Sequence, residues 1–267
     1  MKRAKYIIVM VIFTILLIVN LTPLIRYAYE SKLQDDYYDD IASLVDLDAT
    51  APTKEVVEDM TKGTEDTEPT EEPTLPPILP QYQELYDMNP DIVGWIKFED
   101  TKINYPVMQT PGEPDYYLKR DFNKKTSAYG CIYALALCDV NKPSDNITIF
   151  GHNMNNGSMF AGLYKYRQPK YWEEHQYFTF DTIREEHQYQ VFAVFKTSEK
   201  VHKGFNYHMF IDAEDEEEFD SFVAACKEYA YYDTGITPKY GDKLVCLSTC
   251  EYTYHNARLV VAAVRVD

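Results

Sequence analysis

No run of clustered lysines or arginines occurs in the 267 residues, and 43 acidic side chains outnumber 26 basic ones for a net charge of −17. Affinity for a phosphate backbone rests on clustered cations, so nucleic acid is excluded as the expected partner. Several signatures of enzyme and metal chemistry are missing as well. There is no C-x-x-C and no H-E-x-x-H, and the six histidines are scattered, which leaves zinc without a ligand set. No Asp-x-Asp-x-Asp-Gly loop supports calcium, and no G-x-S-x-G supports a serine hydrolase. A papain-like C-G-[SA]-C-[WY] is absent too, and no internal repeat is evident.

What is present divides the chain into three composition regimes. Residues 1–29 carry a charge of +4, residues 30–80 carry −12 and residues 81–267 carry −9. The first regime contains an uncharged apolar run from Tyr6 to Leu24, about 28 Å long as a helix and close to the thickness of a bilayer core. Lys2, Arg3 and Lys5 precede it and only Arg26 follows closely, so the positive-inside rule leaves the amino terminus in the cytoplasm and the rest outside. The run is longer than a typical signal-peptide core and lacks a small-x-small cleavage site. We therefore expect a basic tip at 1–5 and a retained single-pass anchor at 6–25. Residues 26–80 hold DDYYDD, EDTEPTEEPT and LPPILP, too charged and Pro-rich to offset their ordering entropy. They read as an extended, solvated stalk, with a short helix at 41–47.

Residues 81–267 are sufficient for one domain. Tyrosine-rich, β-prone runs predict strands at 92–98, 105–108, 130–134, 146–150, 177–181, 186–197, 243–249 and 258–266. Short strands with turn signals between them favour a closed or nearly closed β-barrel with peripheral helices. One helix is predicted over 213–230, capped by Asp212, with acids in its first turns and Phe219, Phe222, Val223, Cys226 and Ala230 at helical spacing. Shorter helices are expected at 81–88, 114–119, 157–166 and 169–175.

The odd count of five cysteines leaves at least one thiol unpaired within the chain. Cys246 and Cys250 lie four apart on one strand, about 13 Å between α-carbons, which is too far for a bridge. Cys131 and Cys138 could pair across a turn, although buried unpaired thiols fit their setting better. Three segments place a reactive side chain where a strand ends. NITIFGH (146–152) runs into Gly151 and His152, LVCLSTC (244–250) ends on Cys250, and Arg258 opens the next strand eight residues later. If those last two strands are neighbours, Cys250 and Arg258 face one another. A thiol, an imidazole and a guanidinium suffice for acyl transfer as nucleophile, proton carrier and oxyanion stabiliser. His255, between Cys250 and Arg258, is a rival base, disfavoured because a connecting loop positions an imidazole poorly.

In combination these segments resemble the class B sortases. The resemblance covers residues 81–267 and is carried by NPDIVGWI (89–96), INYPVMQ (103–109), DYYL (115–118), IFGHNM (149–154), MFAGL (159–163), LSTCEY (247–252) and RLVV (258–261). It implies a mainly β fold with peripheral helices, a closed sortase-type barrel of about eight strands and a catalytic domain at 81–267. The acidic helix before the cysteine strand is similar to the extra helix of class B members. The roles it implies are Cys250 as nucleophile, His152 as general acid then base and Arg258 as stabiliser of substrate and oxyanion. Ser248, Thr249 and Asn153 are the expected substrate-groove residues. One departure is Cys246, which stands where the family's T-L-x-T-C run usually has its first threonine. The implied activity is cysteine transpeptidation at a Gram-positive-type cell surface. A sorting motif of a secreted protein is cleaved after Thr, and the thioester passes to an amine of peptidoglycan or its lipid-linked precursor. Hydrolysis is the side reaction, and no metal or organic cofactor is required. The rival readings are a secreted cysteine endopeptidase and a non-catalytic surface-binding module.

Overall fold

In a computed structural model, residues 2–45, 75–198, 205–251 and 256–267 are described. The chain divides into two units, Met1–Ser43 and Leu44–Asp267. The first is a single helix, α1 (Lys2–Ser43). Its N-terminal half is long and apolar enough to cross a membrane, by length and composition. The polar residues within the apolar run are satisfied by the helix itself. Thr14 Oγ1, Asn20 Nδ2 and Thr22 Oγ1 donate to the carbonyls of Met10, Leu16 and Ile18, each four residues back, at 2.9, 2.7 and 2.7 Å. Such back-bonding gives each of these donors a partner within the helix.

α1 runs well past the expected anchor, and this corrects the expectation of an extended stalk over residues 26–43. Propagating an existing helix costs far less than nucleating one, and Arg26 pairs with Glu30 one turn on at 2.7 Å. The short helix expected at 41–47 is therefore the end of α1 as far as Ser43. Residues 46–74, most of the remaining stalk, lie outside the described residues.

The second unit is built on eight strands: β1 (Ile92–Lys97), β2 (Asn104–Met108), β3 (Ile132–Ala134), β4 (Asn146–Phe150), β5 (Tyr177–Thr182), β6 (Gln188–Ser198), β7 (Leu244–Glu251) and β8 (Ala257–Arg265). Around the closed barrel the order is β1-β2-β3-β4-β7-β8-β6-β5, with β5 returning to β1. Two pairings are parallel, β2 with β3 and β4 with β7, and the rest are antiparallel. Closure leaves no free edge strand. Residues 244–247 of β7 and 259–264 of β8 are apolar on both faces because both are covered, one by the barrel interior and one by an outer layer. In that layer, α4 (Glu216–Glu228) sets Phe219, Phe222, Val223 and Cys226 against Phe195, Leu244, Cys246, Val260 and Ala262. Phe210 stacks on Phe222 at 4.1 Å.

α2 (Pro80–Met88) and α3 (Pro169–Glu174) lie close to expectation. The helices predicted at 114–119 and 157–166 are 3-10 turns, at Tyr116–Lys119 and Phe160–Arg167. The α4 cap also differs from the reading. Asp215, not Asp212, accepts the Glu218 N–H at 2.9 Å, while Asp212 receives the Asp145 N–H at 2.9 Å. A run of acids offers several possible caps, and tertiary contacts decide which one serves.

Candidate functional site

The parallel β4–β7 pairing brings the two reactive segments side by side. Ile149 lies opposite Leu247 and Phe150 opposite Ser248, so His152, two residues past β4, and Cys250, near the end of β7, lie toward the same end of the two strands. Gly151 makes the turn. A Cβ there would stand 2.5 Å from Ile132 Cδ1 and 2.6 Å from the Phe160 ring, so the close approach admits only glycine. The Gly151 N–H donates to the Ser248 carbonyl at 3.1 Å. Thr249 Oγ1 donates to the Gly151 carbonyl at 2.8 Å.

His152 is half-buried, and its Nε2 lies 2.7 Å from the Leu118 carbonyl. A carbonyl only accepts, so Nε2 carries hydrogen and Nδ1 is the nitrogen left to exchange a proton. Leu118 belongs to the DYYL segment, in the turn Tyr116–Lys119. Cys250 and Arg258 are cross-strand partners in the β7–β8 register. Arg258 Nη1 donates to Cys250 Sγ at 2.7 Å, which sets a permanent positive charge where the sulfur would carry negative charge. The rival base, His255, lies outside the described residues.

The three expected groove residues are placed differently from one another. Ser248 and Thr249 are each 1% exposed. Ser248 Oγ lies 2.6 Å from the Tyr207 hydroxyl, and Thr249 is spent on Gly151. Asn153 Nδ2 donates to the Cys250 carbonyl at 3.2 Å. Tyr164, which the sequence did not single out, donates its hydroxyl to the same carbonyl at 3.3 Å. Neither it nor the Leu118 carbonyl has a sequence signal of its own beyond the MFAGL and DYYL segments beside them.

Cys250 is half-buried, whereas Cys131, Cys138, Cys226 and Cys246 are buried, and all five are unbridged. Burial pushes the Cys138 thiol up to about 11, and it raises the thiols of Cys226 and Cys246 as well. Among the described residues no group of three or more His, Cys, Asp or Glu side chains gathers into a cation site.

The profile of the family described as the sortase domain matches residues 96–266. Sortase B of Staphylococcus aureus is 30% identical over 188 residues, covering 70% of this chain and 75% of that protein. A crystal structure of sortase B from Bacillus anthracis superposes with a TM-score of 0.70 at 27% identity, covering 90% of this chain and 99% of that one. The Staphylococcus aureus sortase B–substrate complex superposes at 0.65 with 30% identity, covering 71% and 86%. The chain therefore belongs to the sortase family of cysteine transpeptidases, in its class B branch.

Proposed function

We propose that this chain is a membrane-anchored transpeptidase that uses Cys250, His152 and Arg258 to join secreted proteins to the cell wall. The contact that carries this reading is Arg258 Nη1 at 2.7 Å from Cys250 Sγ, near the end of a strand whose neighbour, β4, ends two residues before His152. In the first half-reaction the thiol proton passes to His152, and sulfur attacks the carbonyl carbon of Thr in a sorting motif. Negative charge grows on the substrate oxygen, where the Arg258 guanidinium stabilises it. The intermediate collapses to a thioester as His152 returns the proton to the departing amine. In the second, His152 takes a proton from an incoming amine of peptidoglycan or its lipid-linked precursor, and the thiolate leaves. With Nε2 held by the Leu118 carbonyl, Nδ1 performs both transfers, and that carbonyl stabilises the imidazolium between them. Water in place of the amine gives hydrolysis.

Ser248 and Thr249 act on the groove from beneath, through Tyr207 and Gly151. In this reading residues 6–25 anchor the chain with its amino terminus in the cytoplasm. The segment to residue 80 spaces the domain at 81–267 from the outer membrane face. Secreted substrates and wall precursors meet on that side.

The test uses the full-length chain in detergent micelles with fluorogenic peptides containing Thr-Gly or Thr-Asn, with and without an added amine. Cleavage whose product becomes an amide of the added amine, and which Cys250→Ala abolishes, is the expected result. Cleavage indifferent to the amine points to an endopeptidase instead. Turnover that persists in Cys250→Ala overturns the nucleophile assignment.

A further inference from the structure

The carbonyl of Cys250 poses an accounting question, because a strand carbonyl needs a donor. Carbonyls two residues apart on a strand point the same way. That of Ser248 points at β4, where the Gly151 N–H meets it. The Cys250 carbonyl points to the same side, but β4 has ended at Phe150 and the chain has turned away. Two side chains take the place of the missing strand: Asn153 Nδ2 at 3.2 Å and Tyr164 OH at 3.3 Å. The first is at the upper edge of the usual range and the second is beyond it, and they share one acceptor with two lone pairs.

The donors are themselves tied to His152. Asn153 is the next residue and forms a backbone bridge with Met159. The 3-10 turn Phe160–Arg167 starts with the Phe160 N–H on the His152 carbonyl at 2.9 Å. Tyr164 follows four residues later, about 8 Å along the axis of that turn. One short rod therefore touches the backbone of His152 at its first residue and the backbone of Cys250 through its fifth.

We propose that Asn153 and Tyr164 form a clasp on the Cys250 carbonyl that fixes the thiol relative to His152 and Arg258, which makes both of them positioning residues. This rests on the reading of Cys250 as the nucleophile. By fixing the plane of the peptide after Cys250, the clasp sets the direction of its Cα–Cβ bond. Release of the carbonyl lets sulfur drift from the Arg258 donor without unfolding the barrel.

The test needs no knowledge of the sorting motif. In the full-length chain at pH 7, alkylation of Cys250 by iodoacetamide is followed by peptide-mapping mass spectrometry. Tyr164→Phe and Asn153→Ala each slow it about threefold. The double variant slows it by more than the product of the two, because each single change leaves the carbonyl one donor and the pair leaves none. Asn153→Asp, which turns an oxygen toward that carbonyl, is slower than Asn153→Ala, whereas a mere packing role would tolerate so similar a shape. Where a substrate peptide turns over, kcat falls in the same order and KM stays within twofold. Thermal unfolding of each variant is measured alongside, and a folded variant is expected to melt within a few degrees of wild type. Alkylation rates within experimental error of wild type in the double variant overturn the clasp, as does a change in KM alone. Turnover retained in Cys250→Ala overturns the underlying reading instead, so the two failures are told apart.

Discussion

The two ends of β7 carry the same kind of side chain to opposite purposes. At its start, Cys246 is fully buried against α4, and burial holds its thiol well above the ordinary range. Just before it, Lys243 Nζ grips Asp145 at 2.8 Å and the Leu244 N–H reaches the Asp145 carbonyl at 2.7 Å, which pins the strand to the segment leading into β4. At its end, Cys250 meets a guanidinium, and its carbonyl meets two side chains. Three residues thus separate a thiol sealed in the core from a half-buried one beside a guanidinium. The difference lies wholly in what surrounds the sulfur.

Changes that strip the far end of its partners should have the largest effects. Cys250→Ala is expected to abolish thioester formation, read as loss of the acyl-enzyme mass after a substrate peptide is added. His152→Ala should lower kcat by roughly 10²–10⁴-fold, the usual contribution of a positioned acid–base. Arg258→Ala should cost roughly 10²–10³-fold, as does loss of an oxyanion donor, and Arg258→Lys should recover only part because the planar fork is lost. Single-turnover kinetics check both.

Changes at the near end should alter stability and leave chemistry alone. Cys246→Ser puts a hydroxyl in an apolar cluster and is expected to cost about 1–3 kcal/mol in denaturant unfolding, with kcat per folded molecule unchanged. A sharper form of the contrast counts thiols. Brief exposure of the native chain to iodoacetamide should label Cys250 and spare the four buried cysteines, and denaturation should open all five.

The smallest effect is pH-dependent. Partial burial alone would raise the Asp145 carboxyl, but Lys243 and the Ala213 N–H overcome it and hold the group below its ordinary value of 3.8. A carboxyl lowered in the folded state stabilises above its unfolded value, and that stabilisation is lost as pH falls through the folded value. Asp145→Asn should therefore lower the melting temperature by a few degrees at pH 7, with the gap to wild type closing below pH 3.8.

Much of this was legible in the sequence. β4 is found at the expected Asn146–Phe150, because a short apolar run between polar turns has few other solutions. The facing of Cys250 and Arg258 followed from their spacing across a tight connection, and they are register partners. The remainder was hidden for physical reasons. The Leu118 carbonyl that holds His152 is backbone, and any residue supplies a carbonyl. Tyr164 is one of 24 tyrosines, and nothing local distinguishes a hydroxyl aimed at a strand end from one aimed at the core. Asp212 and Asp215 both suit a helix start, and only the contact of Asp212 with Asp145 frees the other to cap.

The parallel pairing of β4 with β7 also governs when the site comes into being. Cys250 and Arg258 are eight residues apart and meet as soon as a hairpin forms. Thr249 and Gly151, whose bond ties β7 to the chain leaving β4, are separated by 98. Loop-closure entropy and contact order put that meeting late on the folding route. The Cys250–Arg258 contact is therefore local and early, whereas the seam that brings His152 to the same end of the barrel closes only when β4 meets β7.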